Sequence, residues 1–206
     1  MSGIVKKMNP ETTNAFPDPN TLHFMSTNHP MFDLLNVRYI TRMPDVPPPD
    51  PSQFTQVRGA EMNVFENRRA VGAAWVTGKT EAVDSLEAFI DRISSTGFDP
   101  KSTALLEGAP LELDASSAAS PISITSWSPH RITADCTSNG RGLAVFSEIA
   151  FPGWKAAVND KVTPILTTDY ILRGVPVPSG KSTIVMEYKP TSYRLGLFLT
   201  GCSAMG

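Results

Sequence analysis

The stretch from Gly142 to Pro190 constrains this chain most, because apolar residues recur at every second position between closely spaced turn signals. Leu143, Val145 and Ile149 alternate with more polar neighbours, and Phe146 on the other face implies cover on both sides. Pro152-Gly153 breaks the run, after which Trp154, Ala156 and Val158 share a face opposite Lys155 and Asn159. Asn159-Asp160 tolerates positive φ and predicts a tight hairpin. Val162 to Leu166 and Tyr170 to Val177 read as returning extended segments, and Pro178-Ser179-Gly180-Lys181 as a second turn. Ile184, Met186 and Tyr188 then line one face. Period two between turns predicts antiparallel sheet.

Upstream the pattern is mixed. Residues 1–27 are polar and proline-broken and read as extended or disordered chain. Asn28-His29-Pro30 is a helix start, with proline in the first turn. Val37 to Thr41 turns to strand character, Met43 to Gln53 is a proline-rich loop, and Met62 to Phe65 and Ala73 to Thr77 are candidate strands around Glu66-Asn67-Arg68-Arg69. Val83, Leu86, Phe89, Ile90 and Ile93 recur at three and four, which predicts a helix over 80–94, capped by Thr80. Thr103 to Leu106 is a further strand, and Ala115 to Pro121 a small-residue seam. The expected architecture is mainly β. An antiparallel β-sandwich or jelly-roll-like domain spans 120–192, a small α+β lobe spans 28–115, and 193–206 forms a C-terminal tail.

Composition enters as a filter. Eighteen prolines and 14 glycines among 206 residues suit a turn-rich β fold. A net charge of −2 gives no electrostatic case for nucleic acid. The longest apolar runs fall short of a transmembrane helix, and Lys6-Lys7 precede no apolar core of a signal peptide. Cys136 closes the alternating run Ile132, Ala134, Cys136, so a buried free thiol is favoured over a bridge to Cys202.

Most motifs that suggest chemistry fail on spacing. Thr77-Gly78-Lys79-Thr80 would need a glycine at position 73 to be a phosphate loop, and Ala73 stands there. Gly180-Lys181-Ser182 fails in the same way, so no nucleotide or other cofactor is expected. His23, His29 and His130 share no metal-ligand spacing, and no metal site is expected. There is no G-x-S-x-G nucleophile turn, and Ser147-Glu148 and Ser128-His130 are ordinary neighbours. Glu107, Glu112 and Asp114 read as solvated acids rather than a glycosidase pair. Arg68-Arg69 reads as a solvated basic pair, and Asn36 and Arg38 as anchors of a helix-to-strand corner. No catalytic residue is assigned. Trp154 has two readings, a sugar-stacking platform or a core residue, and its in-phase neighbours favour the core. Tyr170 and Arg173 complete the candidate ligand-binding set, with Arg173 placed opposite Tyr170, Leu172 and Gly174 and expected to face solvent or a partner.

The string FPGWKAAVNDK, followed by RGVPVPSGKSTIVMEYKP, resembles the C-terminal soluble region of the YfhO-type bacterial membrane proteins. LLNVRYIT (Leu34 to Thr41) and VFENRRAVGAAWV (Val64 to Val76) match that family in the same order, so the resemblance runs over residues 30–197. It departs at the hairpin after Trp154, where the usual Asp-Gly is Asn159-Asp160. The family resembles C-type glycosyltransferases, which use lipid-linked sugar donors. The resemblance implies a non-catalytic domain on the extracytoplasmic face of the cytoplasmic membrane, assisting recognition of a glycan or lipid-linked sugar. It also implies that SYRLGLFLTGCSAMG corresponds to the return into the membrane, and that the chain is a fragment or truncated frame without the acidic residues of transferase chemistry. The alternative is a free-standing carbohydrate- or protein-binding sandwich.

Overall fold

The computed structural model describes residues 29–59 and 61–190, arranged in two units. The expectations for 1–27, for the tail 193–206 and for Cys202 lie outside the described residues. The first unit comprises the chain up to Val71 together with Leu86–Phe98. It opens with helix α1 (Pro30–Leu34), where the imidazole of His29 caps by accepting the amide hydrogen of Met31 at 3.2 Å. Strands β1 (Tyr39–Arg42), β2 (Phe54–Arg58) and β3 (Asn63–Asn67) form an antiparallel sheet in the order β1-β3-β2.

Beneath that sheet's ends sits one buried carboxylate. Asp33 accepts from Gln53 Nε2 at 3.0 Å and from Asn67 Nδ2 at 2.9 Å, and it pairs with Arg69 at 3.1 Å. Arg68 donates to the Pro51 carbonyl at 2.5 Å. Both arginines are exposed, as expected of a solvated pair, yet each is tethered by one of these contacts, and the buried acid has charged and neutral donors together. Asn36 turns the corner with φ +51°, and Arg38 pairs with Glu66 at 3.1 Å, in keeping with an anchoring role.

The helix expected over 80–94 is shorter. Lys79–Val83 is strand β5, and helix α2 covers Leu86–Ser94. Tertiary pairing decides this. The backbone of β5 runs parallel to β6 (Thr103–Glu107), and the Thr80 hydroxyl accepts the Leu111 amide hydrogen at 2.7 Å. The apolar period through Val83 and Leu86 continues smoothly across the break, which is why the sequence reads as one helix.

The second unit, Gly72–Ser85 with the chain from Asp99 onward, is a sandwich. One sheet holds six strands in the order β4 (Ala74–Thr77), β9 (Gly142–Ile149), β13 (Leu172–Val177), β12 (Leu166–Thr168), β6, β5. The other holds five, in the order β11 (Lys161–Thr163), β10 (Trp154–Val158), β14 (Gly180–Tyr188), β8 (Arg131–Ser138), β7 (Ile122–Ser128). All pairings are antiparallel except β5 with β6. Three strands that precede residue 120 thus complete the first sheet. β4 and β5 lie at its opposite edges yet are separated in sequence only by Gly78, so the sheet curls until its edges meet there.

The core lies between the sheets. Ile132, Ala134, Cys136, Ala156, Val158, Ile184 and Met186 face Val76, Ala144, Phe146, Val175 and Val177. β9 and β13 are buried on both faces, as Phe146 implied. Asn159 and Asp160 take φ +50° and +63° and close the two-residue hairpin between β10 and β11. The Ala115–Ser117 turn is no seam between lobes. It packs within the sandwich, where Ala119 donates to the Val76 carbonyl at 3.1 Å.

Candidate ligand site at the aromatic end of the sandwich

Register brings four segments to one end of the sandwich. Ser128 pairs with Arg131 across the β7–β8 turn, Arg131 with Glu187, and Trp154 with Tyr188. Ala150 donates to the Ile171 carbonyl at 2.7 Å, and Lys189 to the Gly153 carbonyl at 2.7 Å. The SPH turn (Ser128 to His130), the IAFPG loop (Ile149 to Gly153), the DYI turn (Asp169 to Ile171) and the chain's exit after Tyr188 therefore meet.

At this end β9 carries a bulge. Leu172 pairs with Ile149 but Arg173 pairs with Phe146, which leaves Ser147 and Glu148 as extra residues. Phe146 is a core residue, so its partner Arg173 also projects inward, on the face of Val175 and Val177. Arg173 does lie opposite Leu172, but that side is the mouth of the core rather than solvent, and the residue is only 4% exposed.

Its guanidinium stacks over the Trp154 ring at 3.9 Å, and Nε donates to the Ile149 carbonyl at 2.9 Å. Nη1 is buried and has no hydrogen-bond partner. Burial lowers the Arg173 pKa, and the nearby charge of Glu148 opposes that shift. Trp154 is half-buried against the core, with Tyr188 beside it at 5.7 Å between ring centroids, and Phe151 lies 6.5 Å from Tyr188. Glu148 in turn accepts from the Trp127 indole at 3.2 Å.

The structure thus joins Trp154 to Arg173 and places Tyr170, 42% exposed with φ +70°, on the adjacent turn. Trp154 is not an open platform, because Arg173 lies over its ring. The exposed ring surface belongs to Trp127 and Phe151, each 60% exposed. Those residues, with Glu148 and Tyr188, are what sequence reasoning missed. The usable signal was the register of β10 on β14, which puts Trp154 opposite Tyr188.

Beside the site, Asp169 is fully buried with φ +48°. It accepts the Leu105 amide hydrogen at 2.9 Å, and its other oxygen lies 3.2 Å from the Thr168 hydroxyl. That hydroxyl also reaches the Leu105 carbonyl at 3.2 Å, and it has one hydrogen to give. The hydroxyl hydrogen is shared between that carbonyl and the Asp169 carboxyl, whose pKa burial pushes up to about 7 while the bonds from Leu105 and Thr168 oppose the shift.

The other motifs fold away from chemistry. A side chain at Gly78 would meet the Asp114 carbonyl at 2.6 Å, so Gly78-Lys79 is a packed bend between strands. Asp114 receives the Arg141 amide hydrogen at 2.7 Å and pairs with its guanidinium, which lowers the Asp114 pKa. Among the described residues no group of three His, Cys, Asp or Glu side chains is placed to hold a metal. A groove of about 460 Å³ at the opposite end, lined by Asp135, Asn159 and Lys181 among others, has no aromatic wall.

Among the described residues no helix is long and apolar enough to cross a membrane. No curated protein and no solved structure matches the chain. Residues 113–200 match the family model described as Bacterial membrane protein YfhO. That span holds β7 to β14 and every residue of the aromatic end, and over it the chain is similar to the YfhO family of bacterial membrane proteins.

Proposed function

We propose that the sandwich is an extracytoplasmic recognition domain of a YfhO-type membrane protein, and that its aromatic end reads a sugar of a glycan or lipid-linked glycan. The reading rests on one observation: Arg173 is buried on Trp154 with an unpartnered Nη1, beside Glu148 and two exposed aromatic rings. Sugars present apolar C–H faces that suit aromatic rings, and hydroxyls that suit a guanidinium with a carboxylate nearby. An unpaired buried donor costs stability, and such costs concentrate where function needs the group. The domain holds and orients the sugar; no nucleophile or general base is assigned to it.

Calorimetric titration with polyprenyl-phosphate sugars in micelles tests this. Heat with the parent domain and none with a folded Arg173→Met variant is the expected result. Equal heats from both, or none from the parent, would remove the assignment.

A further inference from the structure

Exposed apolar side chains are distributed unevenly over the sandwich. Among its described residues five large hydrophobics are exposed: Trp127 at 60%, Phe151 at 60%, Ile149 at 45%, Tyr170 at 42% and Val162 at 92%. The first four all sit at the end built by the SPH, IAFPG and DYI turns; only Val162 lies elsewhere, on the edge strand β11. Single exposed hydrophobics need no explanation, but several converging on one end do.

The chain leaves the described sandwich at that same end. Lys189 is fixed to the Gly153 carbonyl, and a side chain at Gly153 would lie 3.3 Å from Pro190. The sequence then runs Tyr193-Arg194-Leu195-Gly196-Leu197-Phe198-Leu199, an apolar stretch within the span that matches a membrane-protein family. Cations ring the exit as well: Arg131 and Lys189 both pair with Glu187, and Lys155 stands opposite Glu187 in the ladder. Aromatic tips with a basic surround are what the headgroup region of a bilayer accepts, since indole and phenol rings have one apolar and one polar side.

We propose that this end of the sandwich is apposed to the membrane, with Trp127, Ile149, Phe151 and Tyr170 entering the headgroup region of a lipid bilayer. The sandwich then stands on the membrane on the side where its chain departs. The corner holding Arg173 opens at headgroup level, whether or not a sugar occupies it.

Sugar-free phosphatidylethanolamine–phosphatidylglycerol vesicles test this independently of any glycan, using the full chain with plain or brominated acyl chains. Bromines are expected to quench the Trp127 emission. Trp127→Phe should keep partitioning while removing that quenching, which separates contact of this end from anchoring by the apolar tail. Changing Ile149 and Phe151 together to serine should weaken partitioning about tenfold or more, and Val162→Ser should leave it unchanged. The proposal is overturned if Trp127→Phe is quenched as strongly as the parent, or if the serine pair partitions like the parent. It is also overturned if the rim instead mediates self-association that the serine pair abolishes.

Discussion

Arg173 and Trp154 form a stacked pair, with the guanidinium 3.9 Å from the ring centre at the mouth of a hydrophobic core. The pair ties the central strand β13 to β10 of the facing sheet. It also leaves a buried Nη1 without an acceptor, an arrangement that folding alone does not favour.

This pair yields the first prediction. Arg173→Met keeps a long apolar stem against Trp154 and discards the unpaired donor, so its stability should lie within about 1 kcal/mol of the parent or above it. Arg173→Ala opens a void beneath the indole and should cost about 2–3 kcal/mol. Urea unfolding monitored by near-ultraviolet circular dichroism distinguishes them. A methionine variant as unstable as the alanine variant would show that the guanidinium is there for the fold.

Asp169 predicts a pH dependence whose sign is fixed by its environment. Its folded pKa of about 7 lies above the ordinary 3.8 of an aspartate in the unfolded chain. The folded state therefore holds a proton between those values that the unfolded chain has released. The stabilisation is complete below pH 4, declines as pH rises, and is lost once pH passes about 7. The total is on the order of 4 kcal/mol at most. Asp169→Asn keeps an acceptor for Leu105 and a donor for Thr168, and asparagine tolerates positive φ. It should match the parent near pH 3 and exceed it increasingly from pH 5 to pH 8. Parallel pH profiles for the two proteins would contradict the assignment.

The first unit depends on a different acid. Asp33→Ala leaves the buried Gln53 and Asn67 amides without their shared acceptor, while the half-exposed Arg69 turns to water, and should cost about 2–3 kcal/mol. Hydrogen exchange should report the loss in β1 to β3. Unchanged protection there would show that the network contributes little.

Gly78→Ala should destabilise the sandwich by about 1–3 kcal/mol, because the new methyl group meets main-chain atoms that cannot swing aside. Thermal unfolding reads this directly. Added nucleotide should shift neither protein, since Thr77 and Lys79 belong to strands.

What the sequence disclosed, and what it hid, follows from the range of the forces involved. The hairpin at Asn159-Asp160 and the inward faces of β8, β10 and β14 were legible, because turn chemistry and period two are local. The strand at Lys79–Val83 was not: its pairing with Thr103–Glu107 overrode a helical apolar period that the residues carry. For Arg173 the side of the strand is legible but the surroundings are not. Alternation gives the side, whereas only the facing sheet and the bulge at Ser147-Glu148 make that side the interior. Asp33 and Asp169 passed unnoticed for the same reason, since their partners lie far along the chain.

The most direct measurement is the intrinsic tryptophan emission of the full chain, in which Trp127 and Trp154 lie at the aromatic end, titrated with free oligosaccharides and polyprenyl-phosphate sugars. A saturable shift with at least one of them, abolished by Arg173→Met in a protein that still folds, is the predicted result. No shift with any of them, or the same shift in the methionine variant, would contradict a sugar-reading role for the Arg173–Trp154 corner.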